Sequence, residues 1–233
     1  MSTHAMSSSP AGQQQRLRVW DLPTRLFHWS LAGSVIALIV TAKTGAMDWH
    51  FRLGYFVLAL LMFRVLWGFV GGRWSRFSAF IYSPASLLAH LRGRAAPLHG
   101  IGHSPLGALS VFALLAALVV QVLSGLMSDD AISFTGPLAT VVPGAWSSLA
   151  TDWHKDAGQW VVIALLVLHV AALLVYVLFK RQTLVWPMLH GDKTVPSQLQ
   201  APMSRDDART RLLALVLFGL CAAAARWLAS LQG

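Results

Sequence analysis

Charge is scarce in this chain of 233 residues: only 12% are Asp, Glu, Lys or Arg, while 56% are hydrophobic and the mean hydropathy is +0.59. A soluble domain carries about 25% charged residues, so the composition excludes an ordinary soluble fold and points to a membrane protein. Cysteine is nearly absent. The single Cys221 has no partner for an internal disulfide, and one thiolate cannot build an iron–sulfur cluster or a structural zinc site. Acidic residues number nine against eighteen basic ones, giving a net charge of +9 and a pI near 10.8. On a soluble protein that excess would suggest nucleic acid. Here the basic residues flank apolar runs, so topology accounts for them and no nucleic-acid partner is expected. Residues 1–15 lack both basic residues and an apolar run, so they are read as a disordered tail with no cleavable signal peptide ahead of the first span.

Long apolar runs are what the chain does have. Crossing about 30 Å of hydrocarbon takes roughly 20 residues at 1.5 Å each, and four runs satisfy this: about Leu26–Thr41, Leu53–Val70, Pro105–Met127 and Gly158–Phe179. Pro23 and Thr24 signal the start of the first helix, and Pro105 sits where a first helical turn tolerates proline. A fifth stretch, Leu212–Leu228, is Ala-rich and interrupted by Arg226; it is read as a further span, the alternatives being a surface-lying or capping helix.

The expected fold is an all-α integral membrane four-helix bundle with an extra C-terminal hydrophobic helix. Residues 1–18 form a flexible cytoplasmic tail, 19–193 the bundle, and 194–233 the C-terminal extension. Orientation follows from positive charge. Arg16, Arg18 and Arg25 precede the first span, Arg73, Arg76, Arg92 and Arg94 follow the second, and Lys180, Arg181 and Lys193 follow the fourth, so these segments are placed in the cytoplasm. The opposite side carries Lys43 and Arg52 in a short turn and a 127–156 loop in which Asp129, Asp130, Asp152 and Asp156 outnumber Lys155. The location this implies is a bacterial inner membrane, with the N-terminus cytoplasmic.

Coordinating side chains at membrane depth are costly unless they serve a purpose. His169 lies in the run Leu165-Leu166-Val167-Leu168-His169-Val170, with no polar neighbour in sequence. His154 precedes it by fifteen residues, which on a regular helix is about 22 Å of rise and about 60° of rotation. One helix can therefore present an imidazole at each of two levels. Electron-transfer b haems take two axial imidazoles with no open position, and His28 and His50 lie at opposite ends of the first two spans. His28 is paired with His169 and His50 with His154, although the first pair differs in depth by roughly 9 Å.

Haem propionates need cationic partners near the membrane surface. Arg25, one turn before His28, is the leading candidate, and Arg64 in the second span is another, with snorkelling to lipid headgroups as its alternative. His103, in Gly102-His103-Ser104-Pro105, is read as a helix cap, a propionate partner or part of a quinone pocket; Lys43 and Lys155 are further quinone-pocket candidates. His90, His99, His190 and His4 are read as solvated surface groups.

Three segments carry a resemblance. Trp20-Asp21-Leu22-Pro23-Thr24-Arg25-Leu26-Phe27-His28-Trp29, then Arg64-Val65-Leu66-Trp67-Gly68, then Gly102-His103-Ser104-Pro105-Leu106-Gly107 resemble the prokaryotic cytochrome b561 family, which includes b-type subunits of nickel-iron hydrogenases. The likeness continues through His169 to Leu184-Val185-Trp186-Pro187-Met188-Leu189-His190-Gly191. It departs at Phe51, where the family often has glutamate, and it ends near Lys193. The resemblance implies a four-helix bundle holding two b haems, with ligand positions at His28, His50, His154 and His169. Such a protein relays electrons between ubiquinone or menaquinone and a partner, either a periplasmic cytochrome c or a hydrogenase-type oxidoreductase subunit. The competing readings are a haem-free membrane anchor and a small proton or ion transporter. A transporter would be expected to carry acidic partners inside its spans, and the first four runs contain none.

Overall fold

The computed structural model describes residues 14–94, 96–132, 134–181 and 183–232. Most of the expected tail, with His4, lies outside them. The first described segment, β1 (Gln14–Arg18), is a strand.

Helix α1 (Leu22–Thr44) begins where Asp21 accepts a 2.8 Å hydrogen bond from the Thr24 N–H, with Pro23 in the first turn. It ends at Gly45, whose φ of +72° suits a residue without a Cβ, and α2 (Met47–Val70) returns at once. A basic surface segment follows, carrying the short helix α3 (Pro84–Leu91). Helix α4 (Pro105–Met127) is capped by Ser104, which accepts from the Gly107 N–H at 3.2 Å; His103 is therefore not the cap.

The fourth spanning helix starts earlier than the sequence reading placed it. Helix α5 (Gly144–Asp152) runs through a π-helical turn, Trp153–Ala157, into α6 (Gly158–Leu178), making one continuous 35-residue helix. Half of the segment expected as a loop is thus helical. Helix α7 (Val185–His190) and strand β2 (Asp192–Pro196) close the family-like region, and α8 (Ala208–Ala229) completes the chain.

Among the described residues, five helices are long and apolar enough to cross a membrane. Helices α1 and α2 form one hairpin and α4 and α6 another, joined through contacts of α2 with α4. Helix α8 runs along α2: Ala214, Cys221 and Ala225 pack with Phe27, Ala59, Leu60, Phe63 and Trp67 in one buried cluster. The C-terminal stretch is therefore a packed fifth helix rather than a loose surface segment. A second cluster, Val35, Val57, Leu61, Leu118 and Val162, fills the middle of the bundle where α1, α2, α4 and α6 meet.

The chain's basic segments gather at one end. β1 pairs antiparallel with β2, with Arg16 opposite Thr194, and Trp74 and Ile101 from the segment between α2 and α4 pack with Leu17, Trp20 and Val195. Gly191 links the elements: its carbonyl accepts from the Val19 and Trp20 N–H groups at 2.9 and 3.0 Å, and its φ is +92°. A Cβ there would lie 2.6 Å from the Trp20 carbonyl oxygen.

Candidate functional site

Five histidines fall into two groups at the two ends of the bundle. At the end away from the basic surface, the rings of His50 and His154 have centroids 6.1 Å apart and planes at 84°. His50 Nδ1 lies 3.1 Å from the Leu38 carbonyl oxygen, and His154 Nδ1 lies 2.8 Å from that of Gln121. A carbonyl only accepts, so each Nδ1 carries the proton and each Nε2 keeps a lone pair. That is the arrangement of a metal-ligating histidine, whose other ring nitrogen donates to a backbone carbonyl.

The local helix geometry delivers His154. It sits in the π turn, a feature that recurs at functional sites inside α-helices. Gln121 donates from Nε2 to the His154 carbonyl at 2.9 Å and so satisfies a group that the widened turn leaves available. Gly125 makes room for the ring: a Cβ at that position would lie 2.7 Å from His154 Cε1. Beside the two imidazoles is a cavity of about 510 Å³ that His50 and His154 help line, with Val35, Gly54, Gly125 and Val162 among its walls.

At the basic end, His28, His103 and His169 come within electrostatic range of one another, together with Arg64. His28 Nδ1 is enclosed and has no hydrogen-bond partner among the described residues. His103 is wedged between the rings of Trp20 and Phe80, at 4.7 and 4.5 Å. Burial first, and then the charges of Arg64, His28 and His169, push its imidazole down to about 3, so it is neutral at ordinary pH.

Arg64 does not snorkel. It is 3% exposed, its guanidinium carbon lies 4.7 Å from the Phe77 ring centroid and 6.0 Å from those of Phe27 and Phe80, and its Nη1 has no hydrogen-bond partner among the described residues. An unpaired donor on a buried cation is expensive, which marks a place for an anion. Asp21 lies nearby but is already saturated, accepting from Thr24 N, Trp67 Nε1 and Ser75 Oγ. Arg25 is more committed: Nη1 donates to the Leu189 carbonyl at 2.6 Å, and Nη2 faces Asp206 at 3.9 Å.

The spacing of His50 and His154 fits what a haem would need between two imidazoles. An imidazole nitrogen binds a metal at about 2 Å, and a ring nitrogen lies about 1 Å from the ring centre. Two imidazoles on opposite sides of one metal then have centres about 6 Å apart, in agreement with the His50–His154 separation. The other end offers an unpartnered imidazole nitrogen and an unpartnered buried guanidinium nitrogen.

Sequence reasoning missed Gln121 and Gly125, which bear on His154 from α4. An amide and a glycine in an apolar run were the available signal. His90 and His99 also depart from the expectation of solvated groups, since both Nδ1 atoms are enclosed, whereas His190 is exposed and stacks on Trp186 at 3.9 Å. The expected quinone-pocket lysines line the cavity, Lys43 bonded to Gln159 at 3.1 Å and Lys155 facing Asp130 at 4.0 Å.

A multi-pass helical membrane protein with imidazoles paired inside its bundle is the class that fold and site define. Residues 19–191 match the family described as prokaryotic cytochrome b561, and the chain belongs to that family. It is thus a membrane haem b protein of electron transport. Relatives named "Probable Ni/Fe-hydrogenase B-type cytochrome subunit" include one from Bradyrhizobium diazoefficiens, 26% identical over 75% of this chain and 85% of the relative. Another, from Cupriavidus necator, is 26% identical over 76% and 86%. One from Escherichia coli K12, named as the hydrogenase 1 subunit, is 25% identical over 74% and 88%. No solved structure matches the chain significantly.

Proposed function

We propose that the chain carries electrons across a bacterial inner membrane through two bis-histidine b haems, one held by His28 and His169 and the other by His50 and His154. The observation that carries this reading is the His50–His154 pair, facing at 6.1 Å with both Nδ1 atoms turned to carbonyl oxygens.

Bound haem supplies a one-electron couple whose potential follows its axial ligands, burial and nearby charge. His28, His50, His154 and His169 would hold the haem irons through their imidazole nitrogens. The Leu38 and Gln121 carbonyls hold the rings of one pair in a fixed tautomer and raise their basicity. Arg64 offers its free Nη1 to a propionate from within the bundle; Arg25 contributes positive charge at the surface, shared with Leu189 and Asp206. Val35, Val57, Leu61, Leu118 and Val162 line the inside of the bundle with apolar side chains.

Electrons pass between a quinone, ubiquinone or menaquinone, and a redox partner protein. The names of the relatives favour a hydrogenase-type oxidoreductase as that partner; a periplasmic cytochrome c is the other choice. The gathering of basic segments at one end supports a cytoplasmic N-terminus, with residues 19–193 as the haem bundle, 194–233 as an added helical extension and 1–18 as a cytoplasmic tail.

Purified protein in detergent, assayed by a pyridine haemochrome count and reduced-minus-oxidised spectra, tests the assignment. The expected result is two b haems per chain, with His154→Ala and His169→Ala each losing mainly one. A colourless wild-type protein made with ample haem would overturn it in favour of the anchor or the transporter.

A further inference from the structure

Helix α3 lies at the basic end, packed on α4, and none of its residues is buried. Ile81, Leu88 and Leu91 are exposed at 68%, 46% and 61%, and Arg92 and Arg94 follow directly. The polar side of α3 meets the end of α6. His90 Nε2 lies 3.4 Å from the Tyr176 hydroxyl, and Lys180 Nζ sits 4.5 Å from the centroid of the Tyr176 ring. His99 packs edge-on against Tyr82 at 4.7 Å, and Tyr82 donates to the His103 carbonyl oxygen at 2.8 Å.

This cluster is cationic and lacks a counter-ion. Among the described residues, none of Lys180, Arg92 and Arg94 has an acidic partner, and the Nδ1 atoms of His90 and His99 are enclosed without a hydrogen-bond partner. Burial first, and then the nearby Lys180 and His99, hold His90 below its ordinary range, so its ring favours the neutral form. Cations without acidic partners beside imidazole rings suit one kind of ligand, an anion with several acceptor oxygens.

We propose that His90, His99 and Lys180 bind the phosphate of an anionic phospholipid at the edge of the bundle, with its acyl chains against Leu88 and Leu91. Lipid is favoured over free phosphate because Leu88 and Leu91 of the same short helix are exposed, as are Leu106 and Leu109 of α4. Basic pockets beside membrane helices on the cytoplasmic side commonly hold acidic headgroups. The site is independent of the haem assignment.

The test is thermal unfolding of the full haem-loaded chain in detergent, followed by tryptophan fluorescence, with added phosphatidylglycerol, phosphatidylcholine or inorganic phosphate. Phosphatidylglycerol should raise Tm above the value in phosphatidylcholine. In the H90Q/K180Q variant that difference should fall at least about twofold, with haem absorbance per chain unchanged, while K180R retains it. A folded H90Q/K180Q variant that keeps the full difference overturns the site. An equal shift from inorganic phosphate overturns the lipid as its source. Native mass spectrometry of the wild type gives a reading without any variant: no preference for phosphatidylglycerol over phosphatidylcholine adducts also refutes the proposal.

Discussion

His154 is held by what surrounds it rather than by its own neighbours in sequence. Its Nδ1 proton goes to the Gln121 carbonyl, its own carbonyl receives the Gln121 side chain, and Gly125 leaves the space its ring occupies. A branched side chain at Gly125 would overlap the imidazole and turn Nε2 away from His50. Gly125→Val is therefore expected to lose on the order of one haem per chain while the His28–His169 level is retained, because steric overlap of this kind is relieved only by moving the ring. A haemochrome count with redox titration of the remaining transition checks this, and an unchanged count of two would show that the ring is free to shift. The histidines themselves were legible in the sequence, since an imidazole in an unbroken apolar run demands an explanation. Their supports were not. Gln121 and Gly125 act across the bundle, and nothing local to either residue says which helix it faces.

At the scale of the element, the start of α8 shows a connection that no local pattern announces. Asp206 accepts from the Leu22 N–H and Arg211 Nε at 3.1 Å through Oδ1, and from Arg18 Nη1 at 3.1 Å through Oδ2. It thereby ties the C-terminal helix to the first strand and the first helix. Burial raises the carboxyl's pKa, but the bonds from Arg211 and Leu22 and the charges of Arg211 and Arg18 outweigh it, so the net position is below the ordinary carboxylate value. A depressed folded-state value means stability that is present above the unfolded pKa of about 3.9 and is lost as pH falls through the folded one. Asp206→Ala should destabilise the protein by about 2 kcal/mol near neutrality, and the gap from wild type should close on acidification below about pH 4. Unfolding midpoints measured at both pH values decide it; a gap independent of pH would assign the loss to packing. Helix positions were readable from apolar length and from caps such as Asp21 and Ser104. The β1–β2 pairing joins short polar segments far apart in sequence, and the π turn has no residue signature, so α5 was read as loop.

For the whole molecule, five helices of spanning length among the described residues would place the head of α1 and the foot of α8 on opposite sides of a bilayer. Asp206 at the head of α8 sits with the basic segments, and α8 then runs along α2 toward the end that holds His50. With the basic end in the cytoplasm, a C-terminal alkaline phosphatase fusion should be active and an N-terminal green fluorescent protein fusion should fluoresce in cells. An inactive phosphatase fusion on a stable protein would mean that α8 does not cross. Positive charge between spans made the first four crossings legible; Arg226 near the end of α8 obscured the fifth.

The apolar layer at the middle of the bundle has an electrical consequence. Val35, Val57, Leu61, Leu118 and Val162, with Leu31, Leu38, Ile39 and Leu115 around them, carry no side-chain group that could donate or accept a proton. On the proposed ligand assignment, an electron moving between the two histidine levels crosses this insulator unaccompanied. Each transfer then separates charge, and a membrane potential of 100 mV would assist or oppose a full crossing by about 2.3 kcal/mol. The direction of current through the bundle is thereby biased by the energised state of the membrane in which it sits.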